Sequence, residues 1–414
     1  MKILVSSINF HPDHSGIALY STDLPIYFAE KQQQVTMVTG FSYYPTWVKL
    51  PEDKGKLFRQ ETFKGVRALR GYLYVPQKVT TAKRIIHELT FSSFAFLNFL
   101  RAGRQDCIVI ISPPLTLGLV GVIFKWLWGA KLVFHIQDLQ TDAALSLGMV
   151  KEGFMTRTLI RAENFIYRHS DHVATITEGM RERLVQKGIP REKLGLYYNW
   201  INVAETGRAR PTGRFLARHP ALAGKWIIAY AGNMGVKQGV EVLISMAEAL
   251  QSVEAIHVVI AGDGADKDRL IKLAGEKNLK NLTFLPFLSQ EDYFDLLADI
   301  QVSFIAQRKG TGNVFFPSKL LGIMAMSKPV LISADHESEL STFVRRHQCG
   351  LTASAGDIGE LAQAVRRLQE NPALLEELGK NARNAVGQFD RETVLSRFLS
   401  WIKEAVTGGK NAQP

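Results

Sequence analysis

The stretch WIIAYAGNMGVKQG, residues 226–239, decides the fold. An apolar run of strand length passes into a turn that holds Gly232 and Gly235, and a helical segment follows. Strand, glycine-rich turn and helix in this order indicate a doubly wound α/β domain. The glycine spacing differs from the G-x-G-x-x-G of dinucleotide-binding domains, so no nicotinamide cofactor is expected.

The same alternation of apolar strands and helical segments runs through both halves of the chain. It predicts two parallel sheets, each covered by helices on both faces, and 414 residues are too many for one core. The pattern lapses at 201–224, which is polar and rich in Gly, Pro and Arg. We therefore predict a first domain over residues 1–200 and a second over 201–390. A last helix, at about 390–408, is expected to pack back on the first domain.

The formal net charge of +11 is concentrated in the first half. Residues 1–200 hold 25 Lys and Arg against 16 Asp and Glu, whereas the remainder holds 25 against 23. A basic half can indicate nucleic acid, phosphorylated substrates or an anionic membrane. Zinc-finger spacings and RNA-binding aromatic signatures are absent, so a nucleic-acid partner is not expected. The two cysteines, Cys107 and Cys349, form no disulfide framework, which favours a reducing compartment.

The segment 81–104 is amphipathic, with Lys or Arg at both ends and phenylalanines and leucines between. Two interpretations stay open: a helix that faces the core, or a helix that lies in the interface of an anionic bilayer. The apolar stretch 107–134 is broken by Pro113, Pro114, Lys125 and Lys131 and predicts strand, turn, helix and strand instead of a transmembrane span. The first residues are interpreted as a buried strand and not as a signal peptide.

The glycine-rich turn of the second domain is a candidate anion site. Gly232 allows close approach of the backbone, and Asn233, Lys237 and Gln238 add donors at a helix start. A plain turn is the alternative interpretation.

The loop and helix over 307–320 form a second candidate. Pro317 suits the first position of a helix, and Ser318 and Lys319 follow on its first turn, where a hydroxyl and an ammonium can surround a phosphate. The preceding loop adds Arg308 and Lys309. Simple capping by Ser318 is the alternative.

In the first domain, Gly16 precedes a helix and suits contact with a phosphate or sugar. His11, Asp13 and His14 resemble metal ligands, but neighbouring loop residues converge poorly on one ion, and loop polarity is the preferred interpretation. His135 and Asp138 end an apolar strand, where polar side chains face a ligand crevice; a hydrogen-bonded core histidine is the alternative.

In this order, GNMGVKQG, FHIQD, YYPTW, LYVP, YYNW and PSKL resemble glycosyltransferase family 4, of the GT-B fold, over nearly the whole chain. The likeness is greatest to the fucosyltransferases of bacterial exopolysaccharide and colanic acid synthesis. It implies two Rossmann-like domains that face each other across a cleft. It further implies transfer of a sugar from a nucleotide-diphosphate donor, with retention of configuration and with neither metal nor cofactor.

The resemblance also implies roles for single residues. The 232–238 turn and the helix start from Pro317 to Leu320 hold the diphosphate, and Gly16 approaches it from the first domain. His135 contacts the sugar, and Asp138 positions or deprotonates the acceptor hydroxyl. The acceptor is expected to be a polyprenyl-diphosphate-linked saccharide at the inner face of the cytoplasmic membrane, with the enzyme cytoplasmic and peripherally attached there.

The chain departs from the family pattern at two glutamates, which align with Val314 and Gly322. The usual Arg and Lys of the phosphate turn align with Asn233 and Gln238. A missing sugar-binding glutamate suits a deoxy sugar, so GDP-fucose is the expected donor. A UDP-sugar transferase, a sugar-nucleotide epimerase and a non-catalytic sugar-nucleotide-binding protein are the alternatives.

Overall fold

The computed structural model describes residues 1–13, 16–78, 80–139, 142, 153–206, 213–235, 238–310 and 318–408. The chain divides into two compact units. Unit 1 comprises Met1–Asn199 and Val394–Pro414, and unit 2 comprises Trp200–Thr393. Each unit contains one sheet of mostly parallel strands, which confirms the predicted α/β class.

Unit 1 is built on an eight-stranded sheet in the order β3-β4-β2-β1-β5-β6-β7-β8. Its strands are β1 Lys2–Ser6, β2 Gln34–Gly40, β3 Phe58–Phe63, β4 Val66–Gly71, β5 Cys107–Ser112, β6 Lys131–Ile136, β7 His172–Thr175 and β8 Leu194–Leu196. Its first five helices are α1 Ile17–Glu30, α2 Thr81–Ala102, α3 Leu115–Trp128, α4 Phe154–His169 and α5 Glu178–Gln186. The apolar stretch 107–134 thus forms strand, helix and strand, as predicted.

The hairpin β3–β4 was not predicted from the pattern. The two strands pair antiparallel, with Phe58 opposite Gly71, whereas every other described pair in this sheet is parallel. The strand β3 lies at the sheet edge and has four consecutive polar residues, Arg59–Thr62, between two phenylalanines, so it lacks the continuous apolar run of a buried strand.

The last helix, α15 Arg391–Thr407, packs inside unit 1 from Val394 onward. Phe398 is fully buried, and its ring lies 6.1 Å from Phe28 and 4.4 Å from Tyr197. Trp401 stacks on His172 at 3.9 Å between ring centroids. A helix that is distant in sequence therefore completes the core of this unit.

Unit 2 is built on a six-stranded, all-parallel sheet in the order β11-β10-β9-β12-β13-β14. Its strands are β9 Trp226–Asn233, β10 Ile256–Asp263, β11 Leu282–Leu285, β12 Val302–Ala306, β13 Val330–Ala334 and β14 Gly350–Ser354. Its helices are α6 Val203–Thr206, α7 Arg214–Arg218, α8 Glu241–Ala249, α9 Lys267–Glu276, α10 Gln290–Asp299, α11 Lys319–Ala325, α12 Glu339–His347, α13 Ile358–Glu370 and α14 Pro372–Ala385. The strand order reverses between β9 and β12, and ligands of doubly wound sheets bind at such a switch point.

Within these described ranges, no helix is both long and apolar enough to cross a membrane.

Candidate functional site

The switch point of unit 2 brings together the two segments that the sequence singled out. One follows β9 at Asn233, and the other follows β12 at Ala306. Their contact is direct, because a Cβ built on Gly239 would lie 3.7 Å from the backbone of Arg308. The described candidate anion-binding residues of the second domain therefore belong to one place on the sheet.

Lys319 lies at the centre of this place. Its Nζ lies 3.8 Å from the centroid of the Tyr230 ring, and a Cβ on Gly232 would approach it to 3.1 Å. Gly232 has a φ of +144°, a conformation that favours glycine, so the absence of a side chain serves both the backbone and the lysine. Tyr230 is held in turn by its hydroxyl, which donates to the carbonyl of Asn233 at 2.6 Å.

The ammonium of Lys319 has no carboxylate within ion-pair distance in the part of the chain that the structure describes. Burial among protein atoms lowers its pKa to about 7. A bound anion would restore the charged form, since an opposite charge favours protonation. An unpaired lysine at a switch point is thus suited to hold a phosphate group.

A small pocket lies beside Lys319, between the sheet and helices α10 and α11. Its polar members are Lys319, Tyr293 and Ser303, and the rest of its lining is apolar. The hydroxyl of Tyr293 is buried without a hydrogen-bond partner among the described residues. A Cβ on Gly322 would lie 3.4 Å from that ring and hydroxyl. Tyr293 therefore packs against the position that aligns with the second glutamate of the family pattern.

The end of β10 was missed by the sequence reasoning. Gly262 and Gly264 have φ values of +146° and +154°, and a Cβ on Gly262 would lie 1.9 Å from the carbonyl oxygen of Gly232. A Cβ on Gly264 would lie 2.6 Å from Oδ1 of Asn233. The sequence contains a signal for these positions, because AGDG at the end of β10 resembles AGNMG at the end of β9, with one residue fewer between the two glycines. These glycines allow the two strand ends to approach each other closely.

The remaining donor-site candidates of unit 2 differ in their placement. Gln238 is partly buried, and its Oε1 has no partner among the described residues. Arg308 and Lys309 are exposed. The charge of Arg308 also makes a small contribution to the lowered pKa of Asp266, whose main cause is the hydrogen bond from Arg269. Lys237, Pro317 and Val314 lie outside the described residues.

Ser318 and Leu320 flank Lys319 at the start of α11. Ser318 makes no side-chain capping hydrogen bond, which is the opposite of what the capping interpretation requires. Leu320 is fully buried in the core of unit 2. Lys319 therefore lies between an exposed residue, Ser318, and a core residue, Leu320, at the edge of the packed interior.

In unit 1, Gly16 caps α1 with a φ of +61°, and a Cβ there would lie 3.9 Å from the ring of Tyr44. Asp13 is buried and accepts hydrogen bonds from Nδ2 of Asn9 at 2.9 Å, from the Ser42 hydroxyl and from the amides of Tyr43 and Tyr44, each at 3.3 Å. Asp13 thus ties the loop before Gly16 to the YYPTW segment.

His135 lies near the end of β6 with no exposed surface. Its ring meets Phe398 edge-on at 5.5 Å, and its Nε2 lies 3.3 Å from Nε2 of Gln137. Burial lowers its pKa to about 3, so the imidazole is neutral, and its Nδ1 has no partner among the described residues. Within unit 1 the ring is buried, which fits both the core alternative and the predicted role, so the contact of His135 with the sugar stays a prediction. Asp138 is partly buried just beyond the strand.

The residues that the structure describes contain no cluster of three or more His, Cys, Asp or Glu that could hold a metal ion. His11 stacks on Phe63 at 3.8 Å, and Asp13 is engaged as above. His14, the third member of that group, lies outside the described residues.

Comparison with known proteins defines the class. Residues 15–200 match the model of the glycosyl transferase 4-like domain, and residues 214–385 match that of the glycosyl transferases group 1. Sucrose-phosphate synthase (tll1590) from Thermosynechococcus elongatus has a TM-score of 0.75 at 18% identity over 98% of this chain and 99% of its own. Anabaena Alr3699/HepE in complex with UDP has a TM-score of 0.71 at 16% identity, with 98% and 100% covered. The fold is that of the GT-B glycosyltransferases.

Two relatives show that the similarity to glycosyltransferases also holds at the level of sequence. The putative colanic acid biosynthesis glycosyl transferase WcaI of Escherichia coli (strain K12) is 30% identical over 413 residues, which cover 97% of this chain and 100% of the relative. The probable glycosyltransferase WbjE of Pseudomonas aeruginosa is 25% identical over 324 residues, with 77% and 80% covered. The chain belongs to glycosyltransferase family 4, and it is a glycosyltransferase.

Proposed function

We propose that this enzyme binds a nucleotide-diphosphate sugar at the switch point of unit 2 and transfers the sugar with retention of configuration and without a metal ion. The observation that carries the proposal is Lys319, a partly buried lysine unpaired by any described carboxylate, set against Gly232 and Tyr230. A diphosphate supplies the missing negative charge.

In the proposed reaction, the bond between the anomeric carbon and the β-phosphate oxygen breaks. The acceptor oxygen attacks from the same face, and its proton passes to the departing phosphate. The negative charge that builds on the β-phosphate is stabilised by Lys319.

The donor is proposed to be GDP-fucose. The family glutamate that touches sugar hydroxyls is absent, because Val314 aligns with it. Gly322 aligns with the second family glutamate, and its lack of a side chain leaves room for the ring of Tyr293. A deoxy sugar has fewer hydroxyls to satisfy, and the relative WcaI carries the name of colanic acid synthesis.

The acceptor is proposed to be a polyprenyl-diphosphate-linked saccharide of an exopolysaccharide, reached at the inner face of the cytoplasmic membrane by a peripherally attached enzyme. The basic first half of the chain supports this assignment. Gly16, His135 and Asp138 remain predicted contributors from unit 1, with His135 near the sugar and Asp138 near the acceptor hydroxyl.

The test is the thermal shift of the purified protein with GDP-fucose, GDP-mannose, UDP-glucose and UDP-N-acetylglucosamine. A shift with GDP-fucose alone is expected. A shift with a UDP sugar instead would overturn the donor and leave the transferase. Epimerisation of the free donor, or hydrolysis that no acceptor redirects, would overturn the transfer reaction itself.

A further inference from the structure

The outward faces of α2, α3 and α4 in unit 1 are apolar. On α3, Trp126 and Leu127 are 58% and 65% exposed, and Ile123 beside them is also exposed. Leu100 on α2 and Phe165 on α4 are exposed in the same way. A helix that covers a sheet ordinarily turns polar residues outward, so this face has more apolar surface than the fold requires.

The three helices form one continuous layer. Between α2 and α3, the hydroxyls of Ser92 and Thr116 are 2.7 Å apart, and the rings of Phe99 and Trp128 stack at 5.9 Å. Between α3 and α4, the Trp126 ring meets Phe165 edge-on at 6.3 Å. The exposed apolar groups therefore belong to a single area, which we call the α2–α3–α4 surface.

The charges of the α2–α3–α4 surface are predominantly positive. The three helices carry seven Lys and Arg but only two Asp and Glu. Of the two acids, Glu163 is buried and paired with Lys187 at 2.7 Å, and Glu88 is bonded to Arg84 at 3.3 Å. Among the cations, Lys125 is paired with Asp171 at 2.8 Å. Arg157, Arg161 and Arg168 on α4 are all exposed.

We propose that the α2–α3–α4 surface docks on a bilayer that carries anionic headgroups. Trp126 and Leu127 enter the interface, and the exposed arginines contact lipid phosphates. The inference rests on the proposed function, since a lipid-linked acceptor lies at such a bilayer. A second copy of the chain fits less well, because an isologous contact would oppose two positive surfaces.

The test is co-sedimentation at low salt with vesicles of phosphatidylcholine and phosphatidylglycerol, against vesicles of phosphatidylcholine alone. The wild type is expected to bind the anionic vesicles and to be released by salt. The double variant Trp126→Glu, Leu127→Glu is expected to lower the bound fraction at least about tenfold. Ile271→Glu is the matched control, since Ile271 on α9 of unit 2 is 43% exposed and lies outside the surface; it should bind as the wild type does.

Equal binding of the double variant and the wild type would overturn the proposal, as would failure of the wild type to bind anionic vesicles. A wild-type dimer that the double variant dissociates, with no vesicle binding by either, would assign the surface to a second copy instead. The thermal shift with a sugar nucleotide is measured on the same samples. If the wild type shows the thermal shift but does not bind vesicles, only the membrane-docking proposal is overturned. If the wild type shows no thermal shift with any sugar nucleotide, the proposed function is overturned.

Discussion

Lys319 and His135 are both ionisable groups whose pKa is lowered by burial, and they differ in what surrounds them. Burial lowers the pKa of Lys319 to about 7 and that of His135 to about 3. Around Lys319 lie Gly232 and a small pocket, whereas the ring of Phe398 fills the space beside His135. A lowered pKa therefore occurs in two kinds of surroundings, beside open space at Lys319 and against a packed ring at His135, and the pKa alone does not distinguish them.

Truncating Phe398, the ring that packs beside His135, should have the largest effect, and that effect should be on stability. Phe398→Ala is expected to reduce the free energy of unfolding by about 3–5 kcal/mol, because a fully buried ring is replaced by a cavity next to Phe28 and Tyr197. Urea denaturation measures the change. Lys403→Ala, at an exposed position of the same helix, should leave the midpoint nearly unchanged. A loss as small as that of the control would mean that α15 does not complete the core.

Removing the cation from the pocket should chiefly affect turnover. Lys319→Ala is expected to lower kcat by about 100-fold or more, the loss of one preorganised donor to the departing phosphate. Steady-state kinetics with the donor that shifts the melting temperature measures it. Lys272→Ala, whose side chain is 80% exposed, is the control. An unchanged kcat in Lys319→Ala would reduce the lysine to a packing role.

Filling the space beside the cation should have a smaller effect. Gly232→Ala is expected to weaken donor binding roughly tenfold, since φ at this position favours glycine and the added Cβ would lie 3.1 Å from Nζ of Lys319. Gly275→Ala in α9 is the matched control: no atom lies within 4 Å of its Cβ, and alanine favours a helix. Calorimetric titration of both variants separates the two effects, and equal affinities would argue against close approach at Gly232.

The pH dependence of donor binding tests the charge of Lys319 without any substitution. Lys319 must be protonated to bind the diphosphate, and its pKa in the free enzyme is about 7. The dissociation constant should therefore be flat below that pH and rise by at most about tenfold for each pH unit above it. Lys319→Arg stays charged and should remove the dependence. A wild-type affinity that is constant from about pH 6 to about pH 9 would contradict the lowered pKa.

Much of the fold was predictable because buried parallel strands are continuous apolar runs. The segments around β1, β5, β6, β9 and β12 show this clearly. The hairpin β3–β4 was not predicted because the edge strand Phe58–Phe63 has four polar residues in a row and so resembles a loop in sequence. A pattern that depends on burial predicts the centre of a sheet better than its edge.

The candidate site was predictable in its position and not in its contacts. Glycine-rich turns and cations mark the ends of β9 and β12, and the switch point follows from strand order. The partners of Lys319 could not be predicted, because Tyr230 and Tyr293 are distant from it in sequence and resemble any core aromatic. The burial of His135 likewise depends on Phe398, more than two hundred and fifty positions away, which no local pattern reveals.

The most direct measurement is an equilibrium titration of the wild type, Lys319→Met and Lys272→Met with the sugar nucleotide that stabilises the wild type. Methionine keeps most of the length of the lysine side chain and removes the charge. The account predicts binding by the wild type and by Lys272→Met, and a loss of at least about tenfold in affinity for Lys319→Met. Equal affinity in all three would contradict the claim that Lys319 holds the diphosphate of the donor.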